Sequence, residues 1–279
     1  MDITIAKTAG FCFGVKRAIK MAENELNNST PIYSIGNIVH NKHIINKLSQ
    51  KGLIVVENIE DIPDNSTVII RAHGITKEGI EKCKEKNLKI IDTTCPNVKK
   101  VHELAEKYSN EGYTIVIIGE ATHPEVIGIK GWSVSDTIVV NEEYNFEQLK
   151  NISKICVVSQ TTMNMKKNEE IIKQIEKYAD SPVVFNTVCS ATDERQTELK
   201  EIAKESDVML VIGDKTSSNS NRLYEISKGI CDKSYFIENI DELCLNFLDN
   251  SCKIGITAGA STPDELIKEV VDGVELLNR

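Results

Sequence analysis

Three cysteines occupy the same position of a repeated strand–helix–strand segment, and this repetition is the feature that most restricts how the chain can fold. In each copy an apolar run leads into the cysteine, a helical pattern follows, and a second apolar run ends at a glycine 24 residues after the cysteine. The pairs are Cys12 and Gly36, Cys95 and Gly119, and Cys189 and Gly213. A repeat of this length predicts supersecondary units that stack on one another.

The second half of each repeat follows a common plan more loosely. A helical stretch leads to a short apolar run at Leu53–Val56, Thr137–Val140 and Ser234–Ile237. A further strand then ends in a polar loop, at residues 67–76, 154–163 and 253–262, and each loop should start a helix. In the third loop Thr262 is the expected N-cap, with Pro263 in the first turn and Glu265 as the capping-box glutamate.

Strands that alternate with helices of about 10 to 17 residues are typical of βαβ crossovers and parallel sheets. The expected helices include Val15–Leu26, Val98–Asn110, Lys166–Tyr178, Glu194–Glu205 and Pro263–Leu277. The sequence therefore predicts an α/β fold of three pseudo-symmetric units with small parallel sheets around a central cavity. The units span residues 12–94, 95–188 and 189–279. The third unit lacks a strand after its last helix, so the N-terminal segment 1–11, with a strand at Ile3–Ala6, is expected to close it.

Composition excludes several functional classes. With 279 residues, 41% of them hydrophobic, the chain can bury a sizeable core. A net charge of −9 does not support nucleic-acid binding. The start of the chain has no signal-peptide pattern, and no apolar run reaches the length of a membrane span. We therefore expect a cytoplasmic protein without a membrane partner.

Eight cysteines in a cytosolic chain indicate metal binding or catalysis rather than disulfides. Zinc usually takes four ligands, often from paired C-x-x-C motifs, and this chain contains no such motif. An iron–sulfur cluster takes one cysteine per iron, so three cysteines suit either a three-iron cluster or a four-iron cluster with one open iron. Because of their equivalent positions, Cys12, Cys95 and Cys189 are the predicted ligands. The other cysteines are expected in the core or on the surface: Cys83, Cys156, Cys231, Cys244 and Cys252.

Polar residues follow the strands at the ends where helices begin. In parallel sheets these ends bind ligands, because the helix N-termini offer N–H groups. The predicted set suits an anion with many oxygens, and a diphosphate better than a carboxylate. It comprises His40, His73, His123, Thr161, Ser217, Ser218, Asn219 and Ser261.

Several charged or titratable residues near these loops have alternative interpretations. Glu125 lies two residues after His123, and a carboxyl in a partly dry cavity can act as a general acid. The alternative is an ordinary solvated glutamate, as most glutamates of this chain are expected to be. Lys16, Lys99 and Arg195 follow the cysteines by one helical turn, where they add positive potential or belong to a solvated face. His43 and His102 fall within helical patterns and are interpreted as structural.

Motifs along the chain resemble those of the 4-hydroxy-3-methylbut-2-enyl diphosphate reductase family. They are GFCFGVKRA, IVHNKHII, RAHGI, DTTCPNVKKVH, HPEVIG, VSQTTM, TVCSATDERQ, SSNSNRL and TAGASTPDELI, between residues 10 and 267. The resemblance implies a trefoil of three α/β units and the last step of the methylerythritol phosphate route to isoprenoids. It implies a four-iron four-sulfur cluster on Cys12, Cys95 and Cys189 with one iron not ligated by protein.

The same resemblance assigns roles to the polar residues. Glu125 matches the proton donor, and Thr161 lies near the substrate hydroxyl. The remaining polar-loop residues hold the substrate diphosphate: His40, His73, His123, Ser217, Ser218, Asn219 and Ser261. The products are isopentenyl and dimethylallyl diphosphate, formed by two-electron reductive dehydroxylation, and the family expectation for the one-electron donor is reduced ferredoxin or flavodoxin.

Two other functional classes would also use an iron–sulfur cluster. A hydro-lyase of the aconitase kind also has an open iron but needs no electrons, and such enzymes usually have a C-x-x-C among their cluster ligands. An iron–sulfur sensor or interaction protein would present a recognition surface instead of a polar pocket.

Overall fold

The computed structural model describes residues 2–28, 30–243 and 252–276. Its strands are β1 (Asp2–Ile5), β2 (Ile32–Ile35), β3 (Leu53–Val56), β4 (Thr67–Ile70), β5 (Lys89–Asp92), β6 (Thr114–Ile118), β7 (Thr137–Val140), β8 (Ile155–Ser159), β9 (Val183–Val184), β10 (Val208–Ile212), β11 (Ser234–Ile237) and β12 (Lys253–Ala258). Its α-helices are α1 (Phe13–Leu26), α2 (Lys42–Gln50), α3 (Lys77–Glu85), α4 (Pro96–Asn110), α5 (Pro124–Trp132), α6 (Met165–Tyr178), α7 (Ser190–Glu205), α8 (Ser218–Lys228) and α9 (Asp264–Leu276). Short 3₁₀ helices lie at Ile59–Asp61, Phe146–Asn151 and Ile240–Glu242.

The strands form three four-stranded sheets, in which every described pair of neighbours is parallel. The strand orders are β3-β2-β4-β5, β7-β6-β8-β9 and β11-β10-β12-β1. Once the N-terminal strand is counted with the last sheet, the three connectivities are the same. The predicted α/β class with three small parallel sheets is confirmed.

The N-terminal strand β1 lies at the edge of the last sheet. It pairs in parallel with β12, from Asp2 opposite Lys253 to Ile5 opposite Ile256. This pairing supplies the strand that the third repeat lacks in its own sequence. The boundaries 12–94, 95–188 and 189–279 for three separate domains stay a prediction.

The chain divides into two compact units. We call residues 17–39 and 45–189 the central lobe, and the described parts of residues 2–16, 40–44 and 190–276 the terminal lobe. The central lobe contains the first two sheets, and the terminal lobe contains the third.

Each lobe has a core built from aliphatic strands. All five residues of β8 in the central lobe are buried, as are all five of β10 in the terminal lobe. Strands with helices on both faces are expected to be apolar on both sides, which explains these continuous Val and Ile runs. Among the described residues, no helix combines the length and the apolar character needed to cross a bilayer.

Close packing of α5 against the start of α3 joins the two sheets of the central lobe. A Cβ on Gly131 would lie 2.3 Å from Cγ2 of Thr76, so only glycine allows this approach. The next residue, Trp132, donates from its indole nitrogen to the Ile75 carbonyl at 2.9 Å. These contacts fix the loop that carries His73 relative to α5, which begins just after His123.

Two local predictions were less accurate. Helices expected at Val15, Val98 and Glu194 begin earlier, at Phe13, Pro96 and Ser190, directly after each repeated cysteine. Helix α9 begins at Asp264, one residue later than an N-cap at Thr262 implies, and the Thr262 hydroxyl donates to the Ile212 carbonyl. The capping box at Thr262 stays a prediction. The predicted end of that helix, Leu277, lies outside the described residues.

Candidate active site

The three repeated cysteines have equivalent backbone environments. Each directly precedes a helix, and each N–H donates to a carbonyl two residues beyond the end of the adjacent strand. The bonds are Cys12 to Ala260 at 3.1 Å, Cys95 to Ala72 at 2.9 Å and Cys189 to Thr161 at 3.0 Å. All three side chains are half-buried and none is in a disulfide. The positive end of a helix stabilises a thiolate, so these positions favour metal ligation.

The other described cysteines lie in the hydrophobic core, which is one of the two locations expected for them, the core or the surface. Cys83, Cys156, Cys231 and Cys252 are all buried. Burial raises the pKa of the Cys83 thiol, and burial together with Glu111 raises the pKa of Cys156 to about 12. The thiols of Cys83 and Cys156 therefore remain protonated and are poor ligands. Cys244 lies outside the described residues.

Two of the repeated cysteines belong to the central lobe, and one side chain connects their surroundings. Asn97, in the first turn of the helix that Cys95 caps, donates from Nδ2 to Sγ of Cys189 at 2.9 Å. The Cys189 sulfur therefore lies at the N-terminus of the helix that follows Cys95. Cys12 belongs to the terminal lobe.

Glu125 is a buried carboxyl in the central lobe, only 1% exposed. It accepts two hydrogen bonds from Thr161, from the backbone N–H at 2.7 Å and from Oγ1 at 2.9 Å. Burial raises the pKa of Glu125 to about 7, although the two Thr161 bonds act in the opposite direction. The carboxyl can therefore both hold and release a proton near neutral pH.

The raised pKa of Glu125 predicts that the folded protein becomes less stable as the pH rises. The folded chain holds the Glu125 proton more tightly than the unfolded chain, so raising the pH from about 4.5 to about 7 favours unfolding. Glutamine does not titrate, so Glu125→Gln does not lose stability over this pH range. The unfolding free energy of Glu125→Gln minus that of the wild type should therefore be about 3 kcal/mol larger at pH 8 than at pH 4. Urea unfolding of metal-free protein measures the difference. The exposed Glu103→Gln is the matched control, and equal pH dependence of wild type and Glu125→Gln would contradict the prediction.

His123 is the N-cap of α5, and its Nδ1 accepts from the Glu125 N–H at 3.2 Å. In a neutral imidazole this leaves the proton on Nε2, which can donate to a ligand. The His73 ring meets the His123 ring edge-on, with centroids 5.5 Å apart. The central lobe thus brings together the predicted residues His73, His123, Glu125 and Thr161.

His102 has the structural role expected of it. Its ring is buried and stacks on Trp132 with a centroid separation of 5.4 Å. A Cβ on Gly74 would lie 2.5 Å from the His102 ring, so the glycine leaves space for it. Burial lowers the pKa of His102 to about 4, and the ring stays neutral behind the His73 loop.

The terminal lobe places its predicted polar residues around the start of α8. Ser217 is the N-cap and accepts from the Ser220 N–H at 3.4 Å. Ser218 and Asn219 form the first turn, and Asn219 is 5% exposed. Within the described part of the chain, Nδ2 of Asn219 has no hydrogen-bond partner. A buried donor at a helix N-terminus suits an anion.

Two glycines allow α8 to approach the strand ends this closely. A Cβ on Gly213 would lie 2.4 Å from the Ser220 hydroxyl oxygen, and one on Gly259 would lie 2.0 Å from it. In the same lobe the Ser261 hydroxyl donates to the His40 carbonyl at 2.7 Å. His40 and Ser261, which are 221 residues apart in sequence, are therefore adjacent in space.

Comparison with known proteins identifies the family. The model of the family described as LytB protein matches residues 3–275. This chain belongs to the LytB family. The 4-hydroxy-3-methylbut-2-enyl diphosphate reductases of Clostridioides difficile (strain 630) and Caldanaerobacter subterraneus subsp. tengcongensis are each 44% identical to it. The alignments cover 99% of this chain in both cases, and 100% and 98% of the respective relatives.

Solved structures agree with this assignment. The structure of (E)-4-hydroxy-3-methyl-but-2-enyl diphosphate reductase, described as the terminal enzyme of the non-mevalonate pathway, superposes with a TM-score of 0.73 at 41% identity and 99% coverage of both chains. The E-1-hydroxy-2-methyl-but-2-enyl-4-diphosphate reductase from Plasmodium falciparum gives a TM-score of 0.91 at 32% identity, covering 100% of this chain and 88% of that one. The resemblance predicted from the motifs is confirmed.

The LytB family uses an iron–sulfur cluster. The cysteines of this chain fit such a group, because the three accessible thiols all lie at helix N-termini and the other described thiols are buried. The structure also shows Asn97 at hydrogen-bonding distance from one of these sulfurs. The donor set is thus suited to a cluster.

Two arginines contact the loops that precede the repeated cysteines. Arg17 was not predicted from sequence, and for Arg195 the sequence left open both a positive potential and a solvated face. Arg17 Nη1 donates to the carbonyls of Thr93 and Thr94, which directly precede Cys95, at 3.4 and 3.2 Å. Arg195 donates to the Gly10 carbonyl, two residues before Cys12, at 2.5 Å. Arg195 is 5% exposed, so a solvated face does not explain it. Arg17, like Arg195, follows a repeated cysteine by one to two turns, and that offset is the signal that could have identified it.

Of the two lysines at similar offsets, Lys16 is exposed and Lys99 forms an ion pair with Asp92 at 2.5 Å. Their side chains lie in solvent, and the interpretation as a solvated face is adequate for both. Arg17 and Arg195 therefore differ from the lysines by contacting the cysteine loops directly.

Proposed function

We propose that this chain reduces (E)-4-hydroxy-3-methylbut-2-enyl diphosphate to isopentenyl and dimethylallyl diphosphate, the last step of methylerythritol phosphate isoprenoid synthesis. Its full-length relatives carry the name of this reductase. The observation that carries the proposal is the buried Glu125, whose pKa is raised to about 7 in the lobe that also holds Cys95 and Cys189. The relatives' names do not favour a hydro-lyase or a sensor.

The reaction consumes two electrons and two protons. The allylic carbon–oxygen bond breaks, one proton leaves with the oxygen as water, and the second proton is added to carbon at either end of the allylic system. Hydroxide is a poor leaving group, so protonation at the oxygen must accompany bond cleavage. We assign the first proton to Glu125, which burial keeps partly protonated at neutral pH.

Thr161 prepares Glu125 for this role. Its N–H and hydroxyl donate to the two different carboxyl oxygens, so they fix the orientation of the group and stabilise the carboxylate left after proton transfer. Thr161 also takes the proposed place near the substrate hydroxyl. It can exchange its bond with Glu125 for one with the substrate oxygen.

The proposed ligands of the cofactor are Cys12, Cys95 and Cys189, holding a four-iron four-sulfur cluster with one iron not ligated by protein. When bound, such a cluster supplies electrons one at a time and a Lewis-acidic iron. The loops that precede two of these cysteines are held by Arg17 and Arg195. We propose that these arginines keep the thiols in position for ligation.

The diphosphate does not react, and its binding energy can orient the alcohol. The proposed contacts are His40, His73, His123, Ser217, Ser218, Asn219 and Ser261. His123 accepts the Glu125 N–H at Nδ1, which in a neutral imidazole places the ring proton on Nε2. Asn219 offers a buried amide donor at the start of α8.

The proposed electron donor is reduced ferredoxin or flavodoxin, because each passes one electron at a time. We also place the reaction in the cytoplasm.

An anaerobic assay tests the proposed function. Reconstituted protein is incubated with the allylic diphosphate and a chemical one-electron donor, and both products are measured by mass spectrometry. We expect the two C5 diphosphates in the presence of the donor and no conversion in its absence. Turnover without a reductant would indicate a hydro-lyase, and a zinc-containing protein without sulfide would contradict the cluster.

A further inference from the structure

Asn97 contacts one of the repeated cysteines, and the repeat of the sequence does not predict this contact. Its Nδ2 lies 2.9 Å from Sγ of Cys189, although the two residues are 92 positions apart. Both belong to the central lobe. Asn97 is exposed, and within the described residues its side chain makes no other hydrogen bond. The amide is thus directed at a single sulfur.

Asn97 also lies at the N-terminus of helix α4, where the backbone carries a partial positive charge. Cys95 is the N-cap of α4 and its side chain accepts no capping bond, while Pro96 has no N–H to donate. The Lys99 N–H donates to the Cys95 carbonyl at 2.9 Å. The helix therefore presents its positive end at Cys95, and the Asn97 amide brings a further partial positive charge to Cys189.

We propose that Asn97 is a positioning residue that holds the Cys189 sulfur and raises the reduction potential of the cluster it ligates. The inference rests on the proposed function, since it requires a cluster on Cys189. Reduction adds negative charge that spreads onto the ligating sulfurs. An N–H donor stabilises the more negative state, so it makes reduction easier, and hydrogen bonds to sulfur are an established means of setting cluster potentials.

Because Asn97 is exposed, substitutions there can test its effect on the reduction potential without disturbing the fold. Asn97→Ala removes the donor, and Asn97→Asp keeps the shape but replaces the donor with a negatively charged acceptor. Asn110→Ala, at the other end of α4, is the matched control, because it removes an exposed amide whose single donor contact within residues 2–28, 30–243 and 252–276 is to the Glu106 carbonyl.

The experiment measures midpoint potentials of anaerobically reconstituted proteins by redox titration, followed by visible absorbance and electron paramagnetic resonance. Iron and sulfide are determined on the same samples. We expect the potential to fall in the order wild type, Asn97→Ala, Asn97→Asp, with Asn110→Ala equal to the wild type and full iron content in all four. Unchanged potentials in both Asn97 variants at full iron content would overturn the proposal.

The outcome is distinguishable from failure of the proposed function. A wild-type protein that holds a cluster, shows the expected order of potentials and yet does not reduce the allylic diphosphate would contradict only the function. A wild-type protein that holds no cluster after reconstitution would overturn both.

Discussion

Glu125→Gln should lower turnover of the allylic diphosphate by a factor on the order of 10² to 10⁴, the usual contribution of a positioned general acid. Glutamine keeps the size of the side chain and can maintain both bonds to Thr161, since its oxygen accepts from the N–H and its amide nitrogen donates to the hydroxyl. It cannot give up a proton to the leaving oxygen. The kcat and KM of anaerobic steady-state assays measure the loss.

We expect that loss in kcat, with little change in KM and with iron content equal to that of the wild type. Glu103→Gln, an exposed substitution on α4, is the control and should retain full activity. Near-normal turnover of Glu125→Gln would remove Glu125 from the role of acid. A matching loss of iron would show instead that Glu125 supports the cluster.

Cys95→Ser should remove most of the bound cluster and reduce turnover by roughly a hundredfold or more, because even changes outside the ligand set lower metal affinity or activity by 10- to 100-fold. Iron, sulfide and visible absorbance after reconstitution measure occupancy. Cys83→Ala is the matched control. Its thiol is 0% exposed in the core of the same lobe, so this substitution should lower stability and leave the iron content unchanged.

An iron content that is equal in Cys95→Ser and the wild type would exclude Cys95 as a ligand. Loss of iron in Cys83→Ala alone would point to a ligand set other than the repeated cysteines.

The sequence was most informative about the fold. The equal spacing of three cysteines and glycines predicted three similar sheets, and the strands Leu53–Val56, Thr137–Val140 and Ser234–Ile237 occur where they were expected. The helix starts were less well predicted because hydrophobic periodicity reports the buried face of a helix. In the first turn after each cysteine, contacts with the loops matter more than periodicity, and Phe13 there is 73% exposed.

The sequence predicted which residues belong to the candidate site, but it did not predict which of them contact one another. The Glu125 and Thr161 pair spans 36 residues and two loops, and no spacing rule connects them. The burial of Arg195 depends on its contact with Gly10, 185 residues away. Asn97 resembles any polar residue in a first helical turn until the position of Cys189 is known. Such contacts depend on how separate loops approach one another, which local sequence patterns do not encode.

The pairing of β1 with β12 also constrains the order of events during synthesis. Residues 2–5 are synthesised long before their partner strand, residues 253–256, and the Cys12 N–H donates to the Ala260 carbonyl. Strand β1 therefore cannot take its place in the sheet until the chain has been synthesised beyond residue 260. Deletion of residues 253–260 would remove both the partner strand of β1 and the backbone anchor of Cys12, so a change late in the sequence would disrupt the first of the three repeated cysteines.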